Sequence, residues 1–117
     1  MAFRFEELKI WQRAFELSNE IDLLTKGFPK CEMYSLSSQI KRAADSVVLN
    51  IAEGCTGQSK AEFNRFLGIA LRSAIEVVAC LFIGKARGYV MEDVFKMHYN
   101  NYEVLCKMIT KFRDSLK

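Results

Sequence analysis

Apolar residues recur along the chain at three- and four-residue steps, the spacing of one face of a helix. The second stretch, SQIKRAADSVVLNIAEG at residues 38–54, shows the repeat through Ile40, Ala43, Ala44, Val47 and Ile51. Three further stretches carry similar seams, the first and last with heptad-like spacing. The pattern predicts four helices, at about residues 5–27, 36–53, 60–86 and 92–116.

The breaks between these stretches carry the residues that begin and end helices. Pro29 cannot continue a helix, and Ser35 is placed to cap the next one. Ser59-Lys60-Ala61-Glu62 matches a capping box, Gly54 suits a positive-φ C-cap, and Gly88 is a stop signal for the third helix. Four amphipathic helices with short connections predict an all-α fold: an antiparallel up-down-up-down four-helix bundle, one domain over residues 1–117.

A row of polar residues lies beside the apolar face of the second helix. Ser46, Asn50 and Glu53 follow one another at four- and three-residue steps. Such a row so near the core predicts a hydrogen-bonding seam against another helix, with Asn50 and Glu53 largely buried.

The third helix offers partners for this seam. Arg72, Ser73 and Glu76 share one of its faces and can lie opposite the polar row. The alternative is a solvent-exposed Arg72–Glu76 pair that contributes little to stability.

Composition narrows the class of protein. The chain has 117 residues with one proline and six glycines, so it has little turn chemistry for a β fold. No apolar run reaches the length of a membrane span, and the first nine residues carry charges instead of a signal-peptide core, which predicts a cytoplasmic protein without a membrane partner. The four cysteines are dispersed singly, which indicates reduced thiols and no disulfide framework.

The sequence shows none of the residue patterns that most enzymes use for catalysis. His98 falls on the apolar seam of the last helix without a second metal ligand at an i+3 or i+4 step, so its position favours a satisfied core or interface histidine. No nucleophile has a base at a recognisable spacing, and no phosphate-cradling glycine loop occurs. We therefore expect no catalytic residue, no metal and no cofactor.

Basic residues suggest a mild affinity for an acidic partner. The formal net charge is +3, which permits nucleic acid without demanding it. The candidate phosphate contacts are Lys41 and Arg42 on the second helix and Arg65 and Arg72 on the third.

A few apolar residues lie off the main seams. Trp11, Phe15 and Leu49 would leave more apolar surface exposed than monomers usually show. We expect them, or their neighbours, at a subunit interface in a closed ring.

Several strings together resemble a known family. They are LKIWQ (8–12), FP (28–29), YSLSSQIKRAADS (34–46), NIAEG (50–54) and FLGIALRSAIE (66–76). In this order they resemble the four-helix-bundle proteins encoded in intervening sequences of bacterial 23S rRNA genes. That family is also similar to the accessory proteins of diversity-generating retroelements.

The resemblance implies a homopentameric ring. In the retroelement relatives, basic surfaces of the ring contact nucleic acid and a reverse transcriptase, and Lys41 and Arg42 match the family's basic pair. The expected function is therefore a non-catalytic oligomer that binds RNA or a nucleic-acid-processing protein. The alternative is a structural or protein-binding scaffold with no nucleic-acid role.

Overall fold

The computed structural model describes residues 3–57 and 59–116 of the chain. Within these ranges the protein has four α-helices and no strand. The helices are α1 (Lys9–Thr25), α2 (Leu36–Gly54), α3 (Lys60–Ala86) and α4 (Glu92–Ser115), and two 3₁₀ turns cover Arg4–Glu7 and Lys30–Glu32. The prediction of an all-α four-helix bundle is confirmed.

The contacts between consecutive helices show that the helices run in opposite directions. Across α1 and α2, the Ser18 hydroxyl donates to Asp45 at 2.7 Å, and Lys41 Nζ lies 3.3 Å from an Asp22 carboxylate oxygen. The same inverse order holds for Ser46 with Ser73 and Gln39 with Glu76 across α2 and α3, and for Phe63 with Phe112 and Phe82 with Phe95 across α3 and α4. This is the order of antiparallel neighbours.

The predicted apolar seams form the core. The largest side chains that are fully buried come from all four helices: Leu17, Ile21, Ile40, Val47, Ile51, Leu67, Val77, Leu81, Tyr102, Leu105 and Ile109. α3 packs against both α2 and α4, and the molecule measures 43 × 23 × 22 Å.

The first helix begins later than predicted. Residues Arg4–Glu7 form a 3₁₀ turn, and Leu8 is extended with φ −79° and ψ 124°. The Gln12 side chain donates to the Glu6 carbonyl at 2.7 Å, which ties the turn to the first turn of α1. The amphipathic pattern continues through this break, which is why periodicity alone placed the helix start near residue 5.

Two predicted N-caps have different outcomes. Ser59 caps α3, because its hydroxyl accepts from the Glu62 amide at 3.0 Å. Ser35 makes no cap hydrogen bond from its side chain. The Glu32 carboxylate instead accepts from the Leu36 amide, at 3.4 Å, so the cap of α2 comes from the preceding 3₁₀ turn.

Gly54 is not the positive-φ cap that the sequence suggested. Among the described residues, positive φ occurs only at Gly57 and Gly88, and Gly54 is the last helical residue of α2. A Cβ on Gly54 would come within 2.8 Å of both Phe63 Cδ1 and Phe66 Cβ. The glycine is therefore required by the close approach of α2 and α3 and not by its backbone angles.

One of the described helices meets the length and composition of a membrane span. This helix is α3. We expected no such stretch from the sequence, because the charged residues Arg72 and Glu76 interrupt its run of apolar residues. Its buried stripe packs on α2 and α4, as the core helix of a bundle does.

His98 is buried as predicted, at 3% exposure. Its Nδ1 atom has no hydrogen-bond partner among the described residues, so the core does not satisfy this nitrogen, and a partner across a subunit interface stays a prediction. Burial lowers the pKa of the imidazole, which favours the neutral form, while the nearby Glu20 acts weakly in the opposite direction.

Candidate nucleic-acid interface

The first turns of α2 separate two surface grooves. The α1/α2 groove, about 530 Å³, lies between α2 and the end of α1, and the α2/α3 groove, about 470 Å³, lies on the other side. Tyr34, Ser38 and Arg42 line both grooves. They recur at four-residue steps, so the start of α2 presents them as a ridge between the grooves.

The α1/α2 groove is electropositive. Its described lining includes four basic side chains, Lys26, Lys30, Lys41 and Arg42, and two carboxylates, Asp22 and Asp45. Both carboxylates are engaged within the fold, Asp22 by Lys41 and Asp45 by the Ser18 hydroxyl. The cationic groups of Lys26, Lys30 and Arg42 have no partner within residues 3–57 and 59–116, so they can take an anion from solution.

The α2/α3 groove contains hydroxyl groups linked across the two helices. Ser73 Oγ donates to Ser46 Oγ at 2.8 Å, and Asn50 Nδ2 donates to the Ser46 carbonyl and hydroxyl at 2.8 and 2.9 Å. Ser46 and Ser73 therefore join α2 to α3, as the sequence predicted, whereas Asn50 bonds only to Ser46 within α2 and not to α3. Ser73 is buried, but Ser46 and Asn50 are only half-buried, so the prediction that Asn50 is largely buried is wrong.

The other two seam residues lie elsewhere. Glu53 is exposed and has no hydrogen-bond or ionic partner in the described part of the chain, so the prediction that it is buried is wrong. Glu76 is also exposed and accepts from Gln39 Nε2 at 3.2 Å, outside the serine network. It does not pair with Arg72, which was the alternative for that residue.

The other two arginine candidates are separated from Lys41 and Arg42. Arg65 lies 2.6 Å from a Glu62 carboxylate oxygen and stacks over the Phe66 ring. Counting from the Ser46–Ser73 contact, Arg65 is about 18 Å along the bundle axis from Arg42. Arg72 is exposed midway along α3. The structure therefore brings Lys41 and Arg42 to one site and leaves Arg65 and Arg72 outside its lining.

A buried carboxylate fixes the turn that carries the ridge. Glu32 accepts from Ser35 Oγ at 2.8 Å, and its other oxygen accepts from Tyr89 Oη at 2.9 Å and Arg87 Nη1 at 3.0 Å. Hydrogen bonds from Ser35 and Tyr89 hold the pKa of Glu32 below its ordinary value of 4.5. We call this set the Glu32 clamp; it fastens the start of α2 to the turn between α3 and α4.

Three residues of this site were missed in the sequence. Lys26, Lys30 and Tyr34 sit in the connection between α1 and α2, where helical periodicity gives no signal. The sequence does place two lysines and a tyrosine within nine residues, at positions 26–34. That local cluster is the signal that could have found them.

The predicted interface residues are partly available at the surface. Phe15 and Leu49 are 48% and 59% exposed and line one shallow depression between α1 and α2. Trp11 is half-buried, with its ring 4.7 Å from Phe5 and 5.1 Å from Phe15 between centroids. Phe15 and Leu49 therefore form an apolar patch that no other part of the described chain covers.

The fold and site define a class: a small antiparallel helical bundle with an electropositive groove at the start of its second helix. Residues 6–111 match the family model of the 23S rRNA-intervening sequence protein. The chain belongs to this family. A comparison with curated proteins gives no match.

Proposed function

We propose that the protein binds RNA through the phosphate backbone, in the α1/α2 groove, without catalysing a reaction. The observation that carries this proposal is the set of three cationic groups, on Lys26, Lys30 and Arg42, that have no partner within the described chain. Phosphate oxygens are the acceptors that such groups bind in nucleic acids. The family's description, which refers to 23S rRNA, supports RNA as the nucleic acid.

The proposed working unit is a homo-oligomer, a closed ring of about five copies in a bacterial cytoplasm. The exposed patch of Phe15 and Leu49 supports self-association. A ring of five would carry a formal charge of about +15, from +3 per copy, and repeat the groove around the axis. Several copies of the groove on one ring raise the affinity for a long polyanion, even when a single groove binds weakly.

The experiment is a binding measurement with a structured RNA across a salt series, by fluorescence anisotropy. The wild type should bind, and its affinity should fall steeply as salt rises because bound phosphates release counterions. Lys41→Glu with Arg42→Glu should weaken binding at low salt and flatten the dependence by about 0.7–0.9 in logarithmic slope for each phosphate that the variant no longer neutralises.

The matched control is Lys107→Glu with Lys111→Glu. These lysines are exposed on α4, outside the groove lining, and the double substitution changes net charge by the same amount. It should alter binding much less than the groove variant. Single substitutions of Arg65 and Arg72 by glutamate test whether those candidates also contribute.

A second function, a protein-binding or structural scaffold, is favoured by the apolar surface. Besides Phe15 and Leu49, the α3 residues Ile75 and Phe82 are 62% and 53% exposed. Absence of RNA binding by the wild-type oligomer at low salt would support the scaffold and reject the RNA proposal.

A further inference from the structure

Tyr34 is the most exposed of the large hydrophobic side chains in the described chain, at 92%. Its ring contacts no other aromatic ring, and its hydroxyl has no hydrogen-bond partner within residues 3–57 and 59–116. The other three tyrosines are packed or buried: Tyr89, Tyr99 and Tyr102. Tyr34 therefore contributes little to the stability of the fold.

The backbone that carries this ring is held in place. Tyr34 lies between the 3₁₀ turn and α2, directly before Ser35, whose hydroxyl and amide both bond to Glu32. Arg87 and Tyr89 fasten the same carboxylate from the opposite side. A fixed turn therefore presents the ring to solvent. Because this backbone is already ordered, less conformational entropy is lost when a partner binds to the ring.

The ring stands where the two grooves meet. Arg42 lines both grooves with it, and Lys26 and Lys30 line the α1/α2 side. A flat aromatic surface flanked by unpaired cations matches a nucleotide, whose base stacks while its phosphates bind the charges. An apolar peptide would use the ring but not the cations.

We propose that Tyr34 stacks on an unpaired base, so that the partner of this site is an unpaired stretch of RNA. This inference rests on the proposed RNA binding and specifies the kind of RNA. In a duplex each base face is covered by its neighbours, and a protein side chain reaches mainly phosphates and sugar hydroxyls. Only a loop, bulge or single strand offers a free base face to the ring.

The test compares two labelled probes, a short oligouridine strand and a fully paired RNA duplex of equal length, against wild type and three variants. Tyr34→Ala should weaken binding of the single strand by roughly 5- to 150-fold, the range of one base–aromatic stack. Its binding of the duplex and its logarithmic salt slope should not change, because the substitution leaves every phosphate-binding cation in place. Tyr34→Phe should bind as wild type does, since it keeps the ring.

Phe3→Ala is the matched control. Phe3 is 63% exposed and lies beside Phe5 near the start of α1, at the end of the bundle away from the grooves. Its removal should leave binding of both probes unchanged. Thermal unfolding of Tyr34→Ala should match wild type, which separates a stacking defect from a folding defect.

Two results would overturn the inference in different ways. Equal binding of the single strand by Tyr34→Ala and wild type, or a wild-type preference for the duplex, would reject base stacking while leaving phosphate binding intact. Failure of wild type to bind either probe at low salt would reject the RNA proposal itself, and the stacking inference with it.

Discussion

Glu32 shows how one side chain organises the site without lying in it. It is 8% exposed, and its two oxygens receive four hydrogen bonds, from Ser35, Leu36, Arg87 and Tyr89. Two of these donors lie more than fifty positions away in sequence. A buried carboxylate persists only where its acceptor capacity is filled, and the clamp fills it.

The clamp predicts a pH dependence. The folded-state pKa of Glu32 lies below 4.5, so the folded protein binds its proton less readily than the unfolded chain. The contribution of Glu32 to the free energy of unfolding is therefore complete above the unfolded-state pKa of 4.5. It is lost as pH falls through the lower folded-state pKa. Glu32→Gln should lower the urea midpoint at neutral pH, and the difference from wild type should shrink in acid.

Glu53→Gln is the control for this measurement. Glu53 is exposed on α2 and has no described partner, so the substitution should change stability by no more than about 0.5 kcal/mol. An unchanged midpoint for Glu32→Gln at neutral pH would show that the clamp does not stabilise the fold.

At the scale of the elements, the packing of α2 on α3 depends on a glycine at their closest approach. Gly54→Ala favours helix formation locally but places a Cβ 2.8 Å from Phe66 Cβ, where the helices must shift. We expect a net loss of about 1–3 kcal/mol in the free energy of unfolding, measured by urea titration.

Gly68→Ala, a second helical glycine, provides the comparison. Its added Cβ would meet only the flexible end of Arg113, at 3.4 Å, which is ordinary contact. Here the gain in helix propensity should dominate, raising stability by about 0.5–1 kcal/mol. If the two alanines had the same effect, close packing would not be the reason for Gly54.

At the scale of the whole molecule, the proposed ring is tested by mass. Light scattering coupled to gel filtration should give a wild-type mass several times that of one copy, which is 13.5 kDa. Leu49→Glu should shift the mass towards the monomer, because it places a charge in the apolar patch. Val104→Glu, at a comparably exposed position on α4, should not. A wild-type monomer at micromolar concentration would contradict the assembly.

The sequence alone determined the four helices, most of their ends and the family resemblance. These follow from local information: apolar spacing at Ile40, Val47 and Ile51 marks a buried face whatever it packs against. The capping residue Ser59 and the stop at Gly88 act within a few positions of themselves. The resemblance also rested on short contiguous strings, such as NIAEG.

Only the tertiary structure decided which polar residues the helices cover. Ser46 and Asn50 join the network with Ser73, whereas Glu53, one turn later in the same row, is exposed to solvent. The sequence could not separate them, because burial depends on where the next helix crosses and not on spacing within one helix. The Glu32 clamp likewise depends on Arg87 and Tyr89, which become neighbours of Glu32 only when the bundle closes.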